Sequence, residues 1–484
     1  MKRIIYSILT LGLLIGFTTS CTEDRLDPTL AQQKNVATLD NQEDLKGLVH
    51  GIYNNLQDVN YYGRDYVIYG ETMSDNCFAN NSSGRFLEPS GMTIGVDDGY
   101  PANTWSDMYT TVARANLVLQ QDPADIEGDE ATINDYMGQA YALRALAHFD
   151  LLKMFGQQHV DGSDLGIPYF TSYTGFVTEF EEEDFHPTRQ SISEVRTQLY
   201  NDIDQAISRL SANTSSPFYF NKFSAQALKS RIALYFGDMG EVITAAEGVI
   251  SSENYEVLPA DAYVDYWQNG QGANSLLELK HTGTDNPNIN GLAYIYKSDS
   301  YGDVEVNPDM AAIFDSSDVR MMGQLELNGT MVNMIGYSAW EKSAGEIHNN
   351  GKFPDVQNFS DNYPIIRYEE VILNYAEALW SSGESAGLEG KTPLEYLNMI
   401  PNHRGANTYS AINEDNILME RRKELAFEGH RFHDLLRVGR DIPNNGPASE
   451  EVHGQVPYGD FRLAFPIPEQ EMNANKNITQ NQGY

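Results

Sequence analysis

The densest concentration of reactive side chains lies in residues 420–437, where Arg421, Glu424, Glu428 and Arg431 set opposite charges three and four residues apart. Such a set could be drawn as an acid/base site. Leu425, Phe427 and Phe432 are interleaved with it, however, and charges so flanked are expected to pair along a partly buried helix and fix its docking. His430 and His433 stand three apart, which would let two imidazoles share a metal on a helix; no third ligand accompanies them, and a structural role is expected. Residues 179–184 hold five acids in six positions but lack the alternating oxygens and glycine of a calcium loop, so they read as a solvated loop. No serine elbow, phosphate-cradling glycine loop or dinucleotide fingerprint is present. Glycoside hydrolysis needs only two carboxylates about 5 to 10 Å apart, and with 69 acids the chain leaves that as the enzymatic alternative. Nothing singles out one pair. We therefore assign no catalytic residue, no metal and no cofactor, and expect no enzyme.

Charge narrows the partners. With 32 basic and 69 acidic residues the formal charge is −37, and no basic stripe exists to displace counterions from phosphates, which excludes nucleic acid. Apart from Cys21 the single cysteine is Cys77, so size and not disulfide stapling must hold the fold. Tyrosine is abundant, 29 against 20 Phe and 4 Trp. Its apolar ring and polar edge suit wet binding surfaces.

The amino terminus sets the address. Lys2 and Arg3 precede an apolar run, residues 4–17, that closes on Thr18, Thr19, Ser20 and Cys21. The run is shorter than the roughly 20 residues a spanning helix requires, so residues 1–20 read as a cleaved signal peptide. Small residues before a cysteine look like a lipobox, although Thr18 stands where an aliphatic residue is usual. Lipidation of Cys21 is expected, the alternative being a plain secretory signal. Residues 21–39 then form the anchor cysteine and a flexible polar tether, leaving residues 40–484 as one domain.

The elements that must position any site are mostly helical. A first helix is predicted over residues 41–56. Another follows Pro101, with Trp105, Met108, Tyr109, Val112 and Asn116 on one face, and a third runs through Tyr136, Leu143 and Leu151 to a stop at Gly156. Residues 227–250 break at Gly237 and Asp238 like a tetratricopeptide hairpin, and residues 367–379 with 393–400 read as a further pair. Between the pairs lie three long insertions, residues 60–100, 256–301 and 328–363, rich in Gly, Asn, Asp, Ser and aromatics. Loops of that length in a compact domain are usually functional.

Several blocks carry a family resemblance: WSDMYTTVARAN (105–116), RALAHFDLLKMFG (144–156), GIPY (166–169) and NKFSAQALKSRIALYFGD (221–238). Later come YPIIRYEEVILNYAEAL (363–379), ERRKELAFEGHRFHDLLR (420–437), FPIP (465–468) and NQGY (481–484). Together they resemble the SusD/RagB family over residues 21–484. One stretch departs from the pattern. Where the family has two arginines around a small residue, this chain reads Ile400, Pro401, Asn402, His403, Arg404, Gly405, and Pro401, lacking an amide donor, is expected to end the helix. The resemblance implies a mainly all-α fold of four tetratricopeptide-like helix pairs cradling irregular loops. It also implies a cell-surface lipoprotein on the bacterial outer membrane, with Glu23 and Asp24 after the anchor cysteine similar to the surface-export signal of Bacteroidetes. The implied partner is a TonB-dependent barrel of the SusC type. The implied cargo is an oligosaccharide or polysaccharide, with peptide as the alternative.

A sugar ring offers an apolar C–H face and a rim of hydroxyls, so its site needs aromatic rings edged by amides, carboxylates or Arg. The loops supply these. Trp105 sits in an apolar stripe and is expected in the core. The ligand-binding residues are expected among Tyr61, Tyr62, Asp75, Asn76, Arg85 and Tyr100 in the first insertion, Tyr294, Tyr296 and Tyr301 in the second, and Tyr337 and Trp340 in the third.

Overall fold

The computed structural model describes residues 39–173, 186–297, 300–327, 329–337, 345–447 and 452–484. The expected signal peptide, Cys21, nearly all of the expected tether, the acidic run 179–184 and Trp340 lie outside the described residues.

The body is helical: α1 (Gln42–Leu56), α2 (Asp65–Thr72), α3 (Gly99–Leu119), α4 (Glu130–Phe155), α5 (Ile192–Arg209), α6 (Lys222–Phe236), α7 (Met239–Ile250), α8 (Ala260–Asn269), α9 (Tyr368–Ser381), α10 (Pro393–His403), α11 (Glu414–Glu424) and α12 (Arg431–Arg437). Local chemistry fixes their ends. Asn41 caps α1 by accepting from the amides of Glu43 and Asp44, and Ser191–Glu194 and Thr392–Glu395 close capping boxes on α5 and α10. The turn between α6 and α7 falls at Gly237, whose φ of 75° is the left-handed conformation that glycine adopts without strain. Gly156 ends α4 as its position predicted.

Packing follows the chain. The helix α1 lies on α3, α3 on α4, α4 on α5, α5 on α6 and α6 on α7; α7 then packs on α9, and α9 on α10. The step from α7 to α9 skips the second and third insertions, which stand outside the helix-on-helix order. Its core is large and continuous, with Leu143, Leu146, Phe149, Leu151 and Phe155 of α4 all buried. Trp105 is buried in it, its ring against Tyr109 and Phe155.

Two readings of local structure need correction. The insertions carry strands and helices, β1 (Cys77–Ala79), β2 (Ser275–Leu279), β5 (Thr330–Asn333), β6 (Ile335–Tyr337), β7 (Ile347–Asn349) and the start of β8 (Tyr363–Arg367), with α2 wholly buried and α8 in the second, while β3 (Val304–Val306) and β4 (Gln324–Leu327) lie between the second and third. They pair as two-stranded antiparallel ribbons, β1 with β3, β2 with β8, β4 with β5 and β6 with β7. Pro401 does not end α10 at once. The helix runs two residues further, to His403, because a proline in the last turn forfeits one amide bond while its own carbonyl still accepts from Arg404 and Ala406.

Among the described residues no helix is long and apolar enough to cross a membrane.

Candidate functional site

Arg421, Glu424, Glu428 and Arg431 find their partners elsewhere than in one another. After α11 the chain breaks at Phe427 and Gly429, with φ of 68° and 81°, so the three- and four-residue spacings do not face one another. Glu424 instead meets Arg404 at 2.9 Å and Arg367 at 2.9 Å. Glu428 meets Arg367 and Lys352 at 2.7 and 2.6 Å. Arg404 also reaches Glu369 at 2.8 Å, and Arg320 joins Asp318 and Glu420 at 2.8 and 2.6 Å. Arg421 is held by Asp434 at 2.9 Å, and Arg431 by Asp75 at 2.7 Å. All of these side chains are about nine-tenths buried or more. Burial alone would raise the Glu424 carboxyl, but the guanidinium groups of Arg404, Arg367 and Arg320 hold it far below the ordinary carboxylate range. Arg404, the arginine that survives in the atypical stretch after Pro401, is thus a centre of this lattice.

Five residues expected to face ligand are inside the protein. Tyr61, Tyr62 and Tyr66 all donate their hydroxyls to Asp150 of α4, at 2.7, 2.7 and 2.6 Å, and Lys153 completes that carboxylate's shell at 2.9 Å. The phenols are pushed well above their ordinary range, by burial first and then by the Asp150 charge. They are props under the first insertion. Asp75 is clamped by Arg431 and Arg422, and Asn76 bridges Glu71 and Arg422 at 2.8 Å each. Tyr296 is fully buried with its ring on Phe427. Tyr100 is half-buried, stacked on Phe86 and accepting the Phe86 amide at 2.8 Å, and burial pushes its phenol up to about 12. Tyr337 is 64% exposed on β6, in the separate β6–β7 ribbon.

The remaining three, Arg85, Tyr294 and Tyr301, come together. Pairing of Ala79 with Val304 at the end of the β1–β3 ribbon makes residues 80–86 and 301–303 emerge side by side. There the Arg85 guanidinium lies over the Tyr301 ring, 4.2 Å from its centroid, steadied by Asp303 at 3.3 Å and Ser83 at 3.0 Å. Tyr301 meets Tyr294 edge-on at 5.2 Å, and Tyr294 meets Phe359 at 5.6 Å. All four side chains are partly exposed. Amides and carbonyls edge the cluster: Asn80 donates to Gly302 O and Glu305, and Arg64 donates to Asn290 O at 3.3 Å.

Phe359 was not singled out from sequence. Its φ of 56° is unusual for a bulky residue, and Asp355 enforces it, one carboxylate accepting from the amides of Gln357, Asn358 and Ser360 and from the Ser360 hydroxyl. Burial would raise the Asp355 carboxyl, but these donors hold it below its ordinary value. An aspartate followed by Asn358 and Ser360 is a turn signal, and it was the one available mark.

Residues 331–484 match the family model described as the SusD family, and residues 26–234 match the model described as starch-binding, associating with outer membrane. The chain is 24% identical over 433 residues to SusD-like protein P38 of Formosa agariphila, covering 78% of this chain and 79% of that one. A SusD superfamily protein from Bacteroides thetaiotaomicron superposes with a TM-score of 0.79 at 26% identity, covering 91% of this chain and 99% of the other. A laminarin-binding SusD-like protein shares the fold with a TM-score of 0.71 at 23% identity, covering 92% and 100%. The chain belongs to the SusD/RagB family.

Proposed function

We propose that this protein is a lipid-anchored, cell-surface glycan-binding protein that captures oligosaccharide or polysaccharide and passes it to a SusC-like TonB-dependent transporter. The observation that carries the reading is the cluster of Arg85, Tyr301, Tyr294 and Phe359, a partly exposed aromatic platform with a guanidinium and amides at its edge. The laminarin-binding relative and the starch-binding description of the family model support the ligand class. Aromatic contacts worth about 0.5–1.5 kcal/mol each beyond area burial, few in number and open to water, correspond to dissociation constants of roughly 10 μM to 1 mM. Weak capture of that order suits cargo that must be handed on.

Probing residues 22–484 on a glycan and peptide array tests the ligand. Binding confined to peptides, or no binding at all, would overturn the glycan reading. Location is tested separately: the wild-type protein should partition into membrane and Cys21→Ser should release it, because stable anchoring takes two or more acyl chains. The transporter is tested by pull-down from native outer membrane in gentle detergent, where recovery of the lipoprotein alone would count against the pairing.

A further inference from the structure

Arginines in this chain meet carboxylates in one recurrent way. Arg144 sets Nε and Nη2 side-on against the two oxygens of Asp202, at 2.7 and 2.6 Å, and Arg231 does the same with Glu370, also at 2.7 and 2.6 Å. Arg431 grips Asp75 along that edge at 2.7 and 3.2 Å, and Arg462, its side chain 33% exposed, holds Asp460 with both bonds at 2.9 Å. The two N–H groups of this edge run parallel and match the spacing of a carboxylate's oxygens. Arg85 departs from the pattern. Its Nη1 donates to Ser83 at 3.0 Å and to Asp303 at 3.3 Å, and one face of the guanidinium lies on Tyr301, but Nε and Nη2 meet no acceptor among the described residues. Neither nitrogen is buried. The Arg85 side chain is 28% exposed and that of Asp303 only 1%, so the carboxylate anchors the guanidinium from inside while the unfilled edge reaches water.

The surrounding charges narrow what fills it. A single sugar hydroxyl accepts from one of these donors and leaves the charge unanswered, whereas a carboxylate or a sulfate accepts from both and neutralises it. Arg64, over the neighbouring Phe86 ring at 5.5 Å, already has its Nε on Asp65 and its Nη1 on Asn290 O. Glu305, at the rim, accepts from Asn80. With a net charge of −37 the protein exerts no general pull on polyanions, so an acidic ligand has to be held by a local cation with an open edge. Arg85 supplies one, beside the aromatic rings.

We propose that the platform selects acidic glycans, Arg85 taking the carboxylate of a uronic acid or the sulfate ester of a sulfated sugar side-on while a sugar ring rests on the aromatic cluster. This rests on the glycan reading given above. The test is an array of uronate-bearing and sulfated oligosaccharides, each beside its methyl-esterified or desulfated counterpart, probed with the full mature chain, with calorimetry on the hits. At least one acidic glycan should bind about tenfold more tightly than its neutral counterpart, and that preference should shrink as salt rises from about 50 to about 500 mM. Whether uronates or sulfates lead identifies the acidic group. Arg85→Gln should bring the acidic-to-neutral ratio close to one without shifting thermal unfolding, and Arg85→Lys, which keeps the charge and loses the fork, should retain only part of the preference. Arg462→Gln, which removes the same charge away from the platform, should leave the preference unchanged. Acidic and neutral partners bound alike, or a preference that survives Arg85→Gln, would overturn the proposal. Hits confined to neutral glycans and weakened by Tyr301→Ala overturn it and spare the platform. No glycan hit at all sinks both, and an acidic preference lost in Arg85→Gln but indifferent to Tyr301→Ala and Phe359→Ala together keeps the Arg85 site and sinks the platform.

Discussion

The lattice around Glu424 and the platform around Tyr301 both place arginines among carboxylates and aromatic rings, yet they use them in opposite ways. In the lattice the charges are buried and its central ones are met by more than one partner: Arg404 spans Glu369 and Glu424, Arg367 spans Glu424 and Glu428, and Tyr263 lies under the Arg404 guanidinium at 4.5 Å. In the platform Arg85 has one carboxylate at 3.3 Å and rests its open face on Tyr301. Saturation of partners separates a charge that builds the fold from one left able to meet a ligand. Residue type does not.

The largest expected effect comes from breaking the lattice. Glu424→Gln leaves three guanidinium groups facing a neutral amide, and removing one partner of a buried pair costs about 3–5 kcal/mol. Urea unfolding should show that loss, with platform binding intact in whatever fraction stays folded. A change below 1 kcal/mol would mean that the lattice does not carry the fold.

Acid should act on the same region next. His430 and His159 are held down to about 4, chiefly by burial, whereas the unfolded chain takes up protons near 6.5. A depressed histidine binds its proton in the unfolded state first, so stability should begin to fall as pH drops below about 6.5, by roughly 2–3 kcal/mol for each histidine once pH nears 4. Glu370 adds to the loss. Burial would raise it, but Arg231 holds it at about 2, so its contribution is present above the ordinary carboxylate range and disappears as pH falls through about 4 toward 2. Thermal unfolding between pH 7 and 4 checks the sign; a flat profile would refute it.

The platform should respond in binding and hardly in stability. Tyr301→Ala removes the ring under Arg85 and should weaken glycan binding about tenfold, the equivalent of about 1.4 kcal/mol. Combined with Phe359→Ala it should push binding beyond detection while thermal unfolding shifts little, since both rings are partly exposed. Unfolding of the double variant would place these rings in the core. The smallest effect is expected for Asp355→Ala, which touches no ligand but frees the Phe359 turn. A two- to fivefold loss by calorimetry, recovered in part by Asp355→Asn, separates positioning from contact.

Most helices of the stack were legible because each carries its own evidence, whereas α5 was not predicted despite its Ser191–Glu194 capping box and α2 and α8 were assigned to irregular insertions. Asn41, Gly156 and Gly237 mark ends by local hydrogen bonding or positive φ, and the apolar spacing of α4 or α9 needs no distant information. The insertions were not legible to the same depth. Tyr61 and Tyr301 occupy similar Asn- and Gly-rich surroundings, and what separates them is Asp150, a carboxylate on another helix that draws three hydroxyls inward. Asp75 and Asn76 looked like a polar loop tip until Arg422 and Arg431 closed on them from the far end of the chain. Arg404 was overlooked for a local reason, since the neighbouring Pro401 pointed to disruption where the chain in fact delivers a guanidinium to the core.

The three-residue ribbon of β1 and β3 also imposes a timetable. A ribosome delivers Arg85 early, Tyr301 well past the midpoint and Phe359 later still, so no amino-terminal fragment that stops short of residue 359 contains the whole platform. The helices from α1 to α7 pack each on its predecessor and can accumulate in order of synthesis, whereas the platform must wait for distant segments to arrive and pair. A chain truncated before residue 359 could therefore build much of the scaffold yet present no finished surface, and such a product would stay inert toward cargo.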